Sequence, residues 1–405
     1  MKHSLQKATR AQTRIHNSRL VLKTIYDRGQ ISRADVARLT ELTRTTVSEV
    51  VVDLLEQGLV QETGYGPSIG GKPPILLSVV DDSRHLLGID LASGEFRGAV
   101  VNLRGEICRR IAKPLRGQDG DKALALVYDL VDDLRAAGGP LLGIGIGTPG
   151  LMDPVNGMVR RAVNLDWQDL PLRSLLHERY GLPVYVANDC QAAALAEHTF
   201  GNGKDAENLV VVKVEHGIGA GIVLHGRLFY GDLCGAGEIG HVVVVENGER
   251  CRCGNLGCLE TVAGEKAIVQ RAQAIAQADP HSLLHQFAAD PDKITIEAIS
   301  QAAEAGDQAV QGLIVDAGRY LGFAVANLVG VLSVRRIMIA GHVTCFGQPW
   351  LDAIKRELSR RSLAAVTGEV EVEPSSIGQD IVILGASAMV LINELGLFAP
   401  VVNEI

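Results

Sequence analysis

Aromatic residues are scarce in this 405-residue chain: 7 Phe, 7 Tyr and 2 Trp make up 4% of it, against 47% hydrophobic residues overall. The apolar content is therefore mostly aliphatic, and with 21% charged residues the composition reads as globular. No uninterrupted apolar run reaches the ~20 residues that cross a bilayer, which argues against a membrane partner. The stretch Met1 to Ser18 is polar and basic and lacks an apolar centre, so it does not read as a secretory signal, and a cytoplasmic location is expected. Cysteine is sparse as well, with seven in the whole chain. In a cytoplasmic setting these are expected to be thiols or metal ligands rather than disulfides. The length suffices for two or three compact domains.

Excess basic charge is absent from most of the chain. Residues 1–80 carry 11 Lys+Arg against 7 Asp+Glu, a balance of +4, and the remainder carries 28 against 40, a balance of −12. A basic head on an acidic body points to a polyanion partner for the head alone. From Asn17 to Arg28, Leu20, Val21, Ile25 and Tyr26 lie on one helical face, and Gly29 ends the helix. Ser32 reads as the N-cap of a second helix, with Asp35 completing a capping-box pattern and Ile31/Val36 as a hydrophobic staple. Thr43 caps a third helix, with Leu42/Val47 as its staple and Val47, Val50, Val51, Leu54 and Leu55 as its buried stripe. Two helices joined by a short turn form a helix-turn-helix pattern, which sets Arg44, Thr45, Thr46 and Ser48 at the exposed start of the second, where base edges in a major groove would be met. Two short strands, Leu59 to Glu62 and Ile75 to Val79, flank a Gly/Pro-rich tip containing Lys72, the pattern of a wing reaching a phosphate backbone or minor groove. The bland alternative is a small helical interaction module that never meets DNA.

The most informative run lies in the body. Gly237-Glu238-Ile239-Gly240-His241 is followed by Cys251-Arg252-Cys253-Gly254-Asn255-Leu256-Gly257-Cys258-Leu259-Glu260. Three thiols and one imidazole, His241, Cys251, Cys253 and Cys258, are the ligand set of a closed structural zinc site. Such a site would fix where the flanking carboxylates of Glu238 and Glu260 point. The competing reading is a cysteine-rich turn with inert thiols.

The pattern G-E-I-G-H…C-x-C-G-x-x-G-C-x-E resembles that of the ROK family (repressors, open reading frames, kinases). The resemblance implies an α/β architecture: an N-terminal winged helix-turn-helix over residues 1–80, then a two-lobed actin-like ATPase fold of the ROK sugar kinase type. Lobe I is expected over 81–188, with 380–405 returning to it, and lobe II with the zinc site over 189–379. It also implies a sugar site of Asn164, Asn188, Asp189, Glu238, His241 and Glu260, with Asp189 at the position of the kinase base. His241 can serve both the metal and the sugar through different ring nitrogens. Read from sequence alone, Asn164 is equally an ordinary turn former, and Asp189 equally a helix N-cap.

The nucleotide motifs depart from the kinase pattern. Asp90 is kept, but the glycine and hydroxyl positions after it are displaced and Glu95 sits nearby, where a carboxylate would repel a triphosphate. Gly217, Gly219 and Gly221 alternate as in a phosphate loop, yet His216 replaces the hydroxyl residue that opens it. After Arg336 to Gly341, one glycine stands where the kinases have a cluster. These read as vestigial nucleotide contacts and argue against ATP and Mg²⁺ as cofactors.

The combination predicts a sugar-responsive DNA-binding regulator, usually a repressor of carbohydrate genes, with operator DNA and a sugar or sugar phosphate as partners. A homodimer, or a tetramer built from it, would present the heads to the operator. The alternative is an ATP-dependent sugar kinase, of glucokinase or N-acetylhexosamine kinase type, with an added DNA-binding head. An adaptor binding only protein is a third reading, opposed by the convergent polar residues of the sugar site.

Overall fold

The structure is a computed structural model and describes residues 9–67, 73–92, 94–204, 206–363 and 368–398. Helix α1 runs Arg10–Arg28, starting well before the Asn17 that apolar periodicity indicates. Its first turns are polar and exposed, held by a Thr9/Gln12 capping box and by Arg14, which pairs with Asp53 at 2.7 Å. Strand β1 (Ile31–Ser32) leads to α2 (Arg33–Thr40) and α3 (Arg44–Glu56). The Ser32 and Thr43 hydroxyls accept the backbone N–H of Asp35 and Thr46, so both predicted caps form. The Asp35 carboxylate, however, takes the Ser32 hydroxyl and Arg38 rather than the Ser32 backbone, which pairs with Leu76 in the sheet. Strands β2 (Val60–Tyr65) and β3 (Ile75–Val79) complete an antiparallel sheet of order β1-β3-β2. Lys72, expected at the tip between them, lies outside the described residues.

The body holds two five-stranded sheets. The first contains β4 (His85–Asp90), β5 (Glu95–Asn102), β6 (Ile107–Pro114), β7 (Leu141–Thr148) and, after a small antiparallel sheet, β11 (Val184–Asn188). The small sheet comprises β8 (Leu151–Asp153), β9 (Met158–Ala162) and β10 (Trp167–Leu170). Helix α4 (Gly120–Ala137) precedes β7, α5 (Leu172–Tyr180) precedes β11, and α6 (Asp189–Thr199) follows it without a break. The second large sheet contains β12 (Leu209–Val214), β13 (Ile218–Leu224), β14 (Arg227–Leu228), β15 (Arg336–Ala340) and β16 (Glu371–Pro374). Their orders, β11-β7-β4-β5-β6 and β14-β13-β12-β15-β16, are the same topology read from opposite ends: an antiparallel meander of three strands, then two strands added in parallel beside the first. Parallel strands need covered faces, and helices supply the cover.

Between β14 and β15 lie the single turn α7 (Glu260–Ala263), α8 (Glu265–Ala278), α9 (Leu284–Phe287), α10 (Ile296–Glu304) and α11 (Gln308–Leu332); α12 (Gly347–Arg361) separates β15 from β16, and α13 (Ile381–Val390) follows β16. Helix α11 is not buried all round, as Val331 is 82% exposed, but its Gly318 and Gly322 face presses against the backbone of Trp350 and Ile354 on α12. The segments Gln308–Leu332 and Gly378–Leu395 are long and apolar enough to cross a membrane. Half and two-thirds of those windows are buried inside the protein, as expected of core helices.

Helix α13 returns to the first sheet. A Cβ on Gly145 of β7 would lie 1.8 Å from the Ala386 carbonyl oxygen, so only glycine permits this approach. On its other side Gly385 meets the Ala192 carbonyl of α6 just as closely. Beyond α13 a π-turn, Leu391–Leu395, reaches α1: Arg19 donates to the Asn393 carbonyl at 2.8 Å. The Tyr26 hydroxyl donates to the Leu103 carbonyl at 2.9 Å, and Arg104 stacks 4.2 Å over the Tyr26 ring while donating to the Tyr26 carbonyl. The N-terminal helices and the first sheet thus share one apolar cluster, from Val21 and Ile25 through Leu103 to Leu391.

Candidate functional site

Helix α6 lies between the two sheets, and its first turn carries the residues singled out for sugar and catalysis. Asn188, not Asp189, is the N-cap: its Oδ1 accepts the Cys190 N–H at 2.8 Å, and Gln191 closes a capping box. The Asn188 amide also donates to the Gly150 carbonyl at 3.0 Å, so much of its hydrogen-bonding capacity is structural. Asp189 accepts the Lys213 ammonium at 3.0 Å, and Lys213 in turn reaches Glu215 at 2.6 Å. The Lys213 side chain is 6% exposed. Burial opposes its charge, but Asp189 and Glu215 outweigh burial and raise its pKa well above the ordinary lysine value. Burial likewise opposes the Glu215 charge, and Lys213 attraction prevails, lowering its pKa.

Asp90 lies one layer away, paired with Arg97 at 2.5 Å. Its other oxygen is buried without a hydrogen-bond partner among the described residues. Burial pushes the Asp90 pKa up to about 6 against the attraction of Lys213 and Arg97. Lys213, Glu215 and Arg97 had not been singled out as site residues. A lysine inside Leu209–Val214, an otherwise apolar strand, was the available signal, because a buried lysine requires a partner.

Two of the glycines read as vestigial nucleotide contacts have a packing role of their own. A Cβ on Gly219 would meet the Cys190 sulfur at 2.6 Å, and one on Gly221 the Cys190 carbonyl at 2.1 Å, so both exist to let α6 lie on β13. Gly341, at φ +110°, turns the chain against the Val214 carbonyl. Beside it His342 is 3.5 Å from Glu265, whose hydrogen bond raises the imidazole pKa.

Across the cleft, the crevice between the sheets is lined by Gly150, Asn188, Gln191, Gly219 and Glu238. The Glu238 carboxyl is held above its usual range, first by burial and then by the nearby charges of Asp189 and Glu260, with His241 opposing. A Cβ on Gly217 would lie 2.9 Å from the Glu260 Oε2, so that carboxylate faces the start of β13. Asn164 stands apart in a short turn, its Oδ1 accepting from Arg252 of the cysteine loop at 3.4 Å.

The four sulfur and nitrogen donors are brought together. One ligand atom each from His241, Cys251, Cys253 and Cys258 lies within 4.8 Å of the others. His241 Nδ1 is 3.6 Å from the Cys251 sulfur, and its Nε2 is 3.9 Å from Glu238. One ring thus faces the thiols with one nitrogen and the polar crevice with the other. Burial, and then the neighbouring Cys253 and Cys251, push the Cys258 thiol up to about 12. Three thiols this close resist joint ionisation, and a divalent cation is the group that would relieve them, so the donor set fits a metal.

On the N-terminal segment Arg44, Thr45 and Ser48 are exposed at the start of α3. Thr46 is only half-exposed, and its hydroxyl is bonded to that of Thr43 at 2.9 Å, which gives it a capping role the sequence did not show.

With fold and site described, comparison with known proteins defines the class. The ROK family model matches residues 86–392, and the chain belongs to the ROK family. It is 35% identical over 384 residues to the xylose repressor of Caldicellulosiruptor bescii, covering 94% of this chain and 96% of that protein. It is 32% identical over 380 residues to the transcriptional dual regulator NagC of Escherichia coli, covering 92% of each. Among solved structures, a ROK family transcriptional regulator homologous to the E. coli MLC protein superposes with a TM-score of 0.83 at 30% identity, over 95% of this chain and 98% of that one. A ROK family glucokinase from Streptomyces griseus, solved with glucose and AMPPNP, gives 0.69 at 28% identity, over 98% of its own length but 75% of this chain.

Proposed function

We propose that this chain is a sugar-responsive transcription repressor that binds operator DNA through its N-terminal segment and a sugar or sugar phosphate in the cleft between its sheets. Residues 1–80 are the winged helix-turn-helix domain, 81–188 with the returning C-terminal segment are lobe I, and 189–379 are lobe II. The observation that carries the reading is coverage. Relatives named as a repressor or as transcriptional regulators align over 92–95% of the chain, whereas the glucokinase accounts for 75% of it. The Lys213 ion pairs support it further, because they commit the Asp189 oxygen that a kinase base would need free.

In this reading Asn164, Asn188, Asp189, Glu238, His241 and Glu260 hold sugar hydroxyls. A Zn²⁺ held by His241, Cys251, Cys253 and Cys258 would fix the loop that aims Glu238 and Glu260, a structural rather than chemical service. Arg44, Thr45, Thr46, Ser48 and Lys72 meet the DNA. The protein works in the cytoplasm as a homodimer presenting two heads to a palindromic operator. Sugar closes the cleft, and the closure passes from α6 through α13 and the Leu391–Leu395 turn to α1. A sugar can do this only by binding the DNA-competent and incompetent forms unequally.

The test is a fluorescence-anisotropy titration of the full chain on the DNA upstream of its own gene at fixed salt. D-xylose, D-glucose, N-acetyl-D-glucosamine and N-acetyl-D-glucosamine 6-phosphate are added in turn. At least one should change the DNA affinity tenfold or more, and none should yield ADP from ATP·Mg²⁺. Steady ADP release abolished by Asp189→Asn would instead establish the kinase alternative. Arg44→Ala should weaken specific DNA binding by about 1–3 kcal/mol.

A further inference from the structure

A second group of candidate metal donors, one carboxylate, one imidazole and one thiol, lies outside the cysteine loop, where the chain passes from β3 into the first sheet. Asp82, His85 and Cys108 each offer a ligand atom, and these atoms lie within 4.8 Å of one another. Asp82 lies in the turn just before β4, and His85 and Cys108 come from two strands that are not neighbours, since β5 separates β4 from β6. What joins them is a bulge. In the β5–β6 ladder Val100 faces Arg109 and Val101 faces Ile107, which leaves Cys108 as the extra residue. A bulge re-aims the side chain it carries, and here the thiol is turned toward the start of β4. The β4–β7 ladder is irregular at the same level, between His85 and Leu86.

The surroundings are arranged as outer support. Asn102 is buried, and its amide donates to Asp82 and to Glu106 at 3.0 Å each. Its carbonyl oxygen accepts the Arg104 and Glu106 N–H groups, so the amide cannot flip without losing four hydrogen bonds. His85 Nδ1 is buried with no hydrogen-bond partner among the described residues, and Gly139 lies against that edge of the ring. Cys108 is an exposed free thiol whose sulfur has one weak contact, 3.8 Å to the Glu106 carbonyl.

We propose that Asp82, His85 and Cys108 bind a divalent transition-metal ion of the Zn²⁺, Co²⁺ or Ni²⁺ class, a second site distinct from the His241 cluster. The donors are one carboxylate oxygen, one imidazole nitrogen and one thiolate sulfur, with a fourth position left to water or Glu106. Bonds of about 2.0–2.3 Å place tetrahedral ligands roughly 3.3–3.8 Å apart, so the three side chains need shift by only about 1 Å to close on an ion. Mg²⁺ and Ca²⁺ prefer all-oxygen shells and do not suit a thiolate and an imidazole.

The position gives the ion a job. Residues 81–84 are the connection between the N-terminal sheet and the body. Asp81 holds Arg104, which holds the Tyr26 carbonyl, and Arg84 donates to the Gln57 carbonyl at the end of α3. An ion joining Asp82 to His85 and Cys108 pins this connection to the first sheet and fixes how the DNA-binding segment is carried.

The experiment uses the full chain with its cysteine loop already loaded with zinc, titrated anaerobically with Co²⁺. A second equivalent should bind with a thiolate-to-cobalt charge-transfer band in the near ultraviolet and without release of zinc. The band should vanish in Cys108→Ser, and His85→Gln and Asp82→Asn should each weaken binding at least tenfold. Tryptic cleavage after Arg84 should slow with Co²⁺ in the wild type and not in Cys108→Ser. Because Cys108 is exposed, an unchanged thermal melt for Cys108→Ser shows that loss of the band is not loss of the fold. Failure to take up a second ion, uptake without the band, or a band that survives in Cys108→Ser would overturn the site. Affinity unchanged in His85→Gln overturns the ligand set, and equal cleavage rates overturn the pinning.

Discussion

The two edges of the cleft are built from similar side chains and neutralised by different means. On the side of β12 and β4, the carboxylates of Asp189, Glu215 and Asp90 are answered from within by Lys213 and Arg97. On the side of the cysteine loop, Glu238 faces the crevice with the His241 ring 3.9 Å away, and burial first, then the charges of Asp189 and Glu260, hold its pKa above the usual range. The first edge carries its own cations, with one Asp90 oxygen still buried without a partner among the described residues, and the second relies on an imidazole. Under the proposed function, a nucleotide arriving at the first would meet an internal cation already paired, whereas a sugar arriving at the second would offer hydroxyl donors to the Glu238 carboxylate. On the same proposal, the difference lets a kinase-like scaffold keep a sugar grip while its phosphate side becomes part of the core.

Removing the internal cation should have the largest effect on this contrast. Lys213→Met leaves two buried carboxylates unpaired and should cost about 3–5 kcal/mol of stability by urea unfolding. A cost below about 1 kcal/mol would mean that solvent reaches the site and that the two edges are not neutralised differently. On the opposite edge, Glu238→Gln should leave the unfolding midpoint nearly unchanged. It should weaken sugar binding by about 1.5–3 kcal/mol, the range for a hydrogen bond to a charged group, as read by calorimetry with the sugar found to act on DNA binding.

The first edge should itself respond to pH in two opposite senses. Asp90 has its pKa raised from 3.8 to about 6, so between those values the folded chain holds a proton that the unfolded chain releases. Through Asp90, stability therefore falls as pH rises across that window. Glu215 is depressed below 4.5, so its contribution is present above that value and is lost as pH falls through the folded pKa. Asp90→Asn should flatten the fall between about pH 4 and pH 6 while keeping the loss at lower pH. An unaltered profile would place the titration elsewhere.

The smallest expected effect concerns the route from cleft to head. Arg19→Ala breaks the contact between α1 and the Asn393 carbonyl. It should reduce the sugar-induced change in DNA affinity by about 0.5–2 kcal/mol with sugar binding itself intact. A full response in that variant would take α13 and its terminal turn off the route.

Much of the molecule was legible from the order of its residues, because the relevant forces are local. The caps at Ser32 and Thr43, the stop at Gly29 and the buried stripe of α3 depend on residues three or four apart. The metal donors could be read because Cys251, Cys253 and Cys258 share one loop with His241 close before it. The start of α1 was misplaced because its first turns are held by a capping box and an ion pair to α3 rather than by apolar periodicity. The sequence pattern of Gly219 and Gly221 resembles a decayed phosphate loop, and it carries no sign of their packing role, the approach of α6 from another part of the chain.

What the sequence determined by itself is the set of donors and the family pattern they form, since short spacings fix which side chains can share a turn or loop. Tertiary structure alone decided which charges are answered. Lys213 reaches Asp189 because β12 passes beneath the first turn of α6, and His85 meets Cys108 because a bulge turns one strand toward another two places away. Those contacts depend on strand order and register, which are set by the packing of the whole chain and leave no local trace in it.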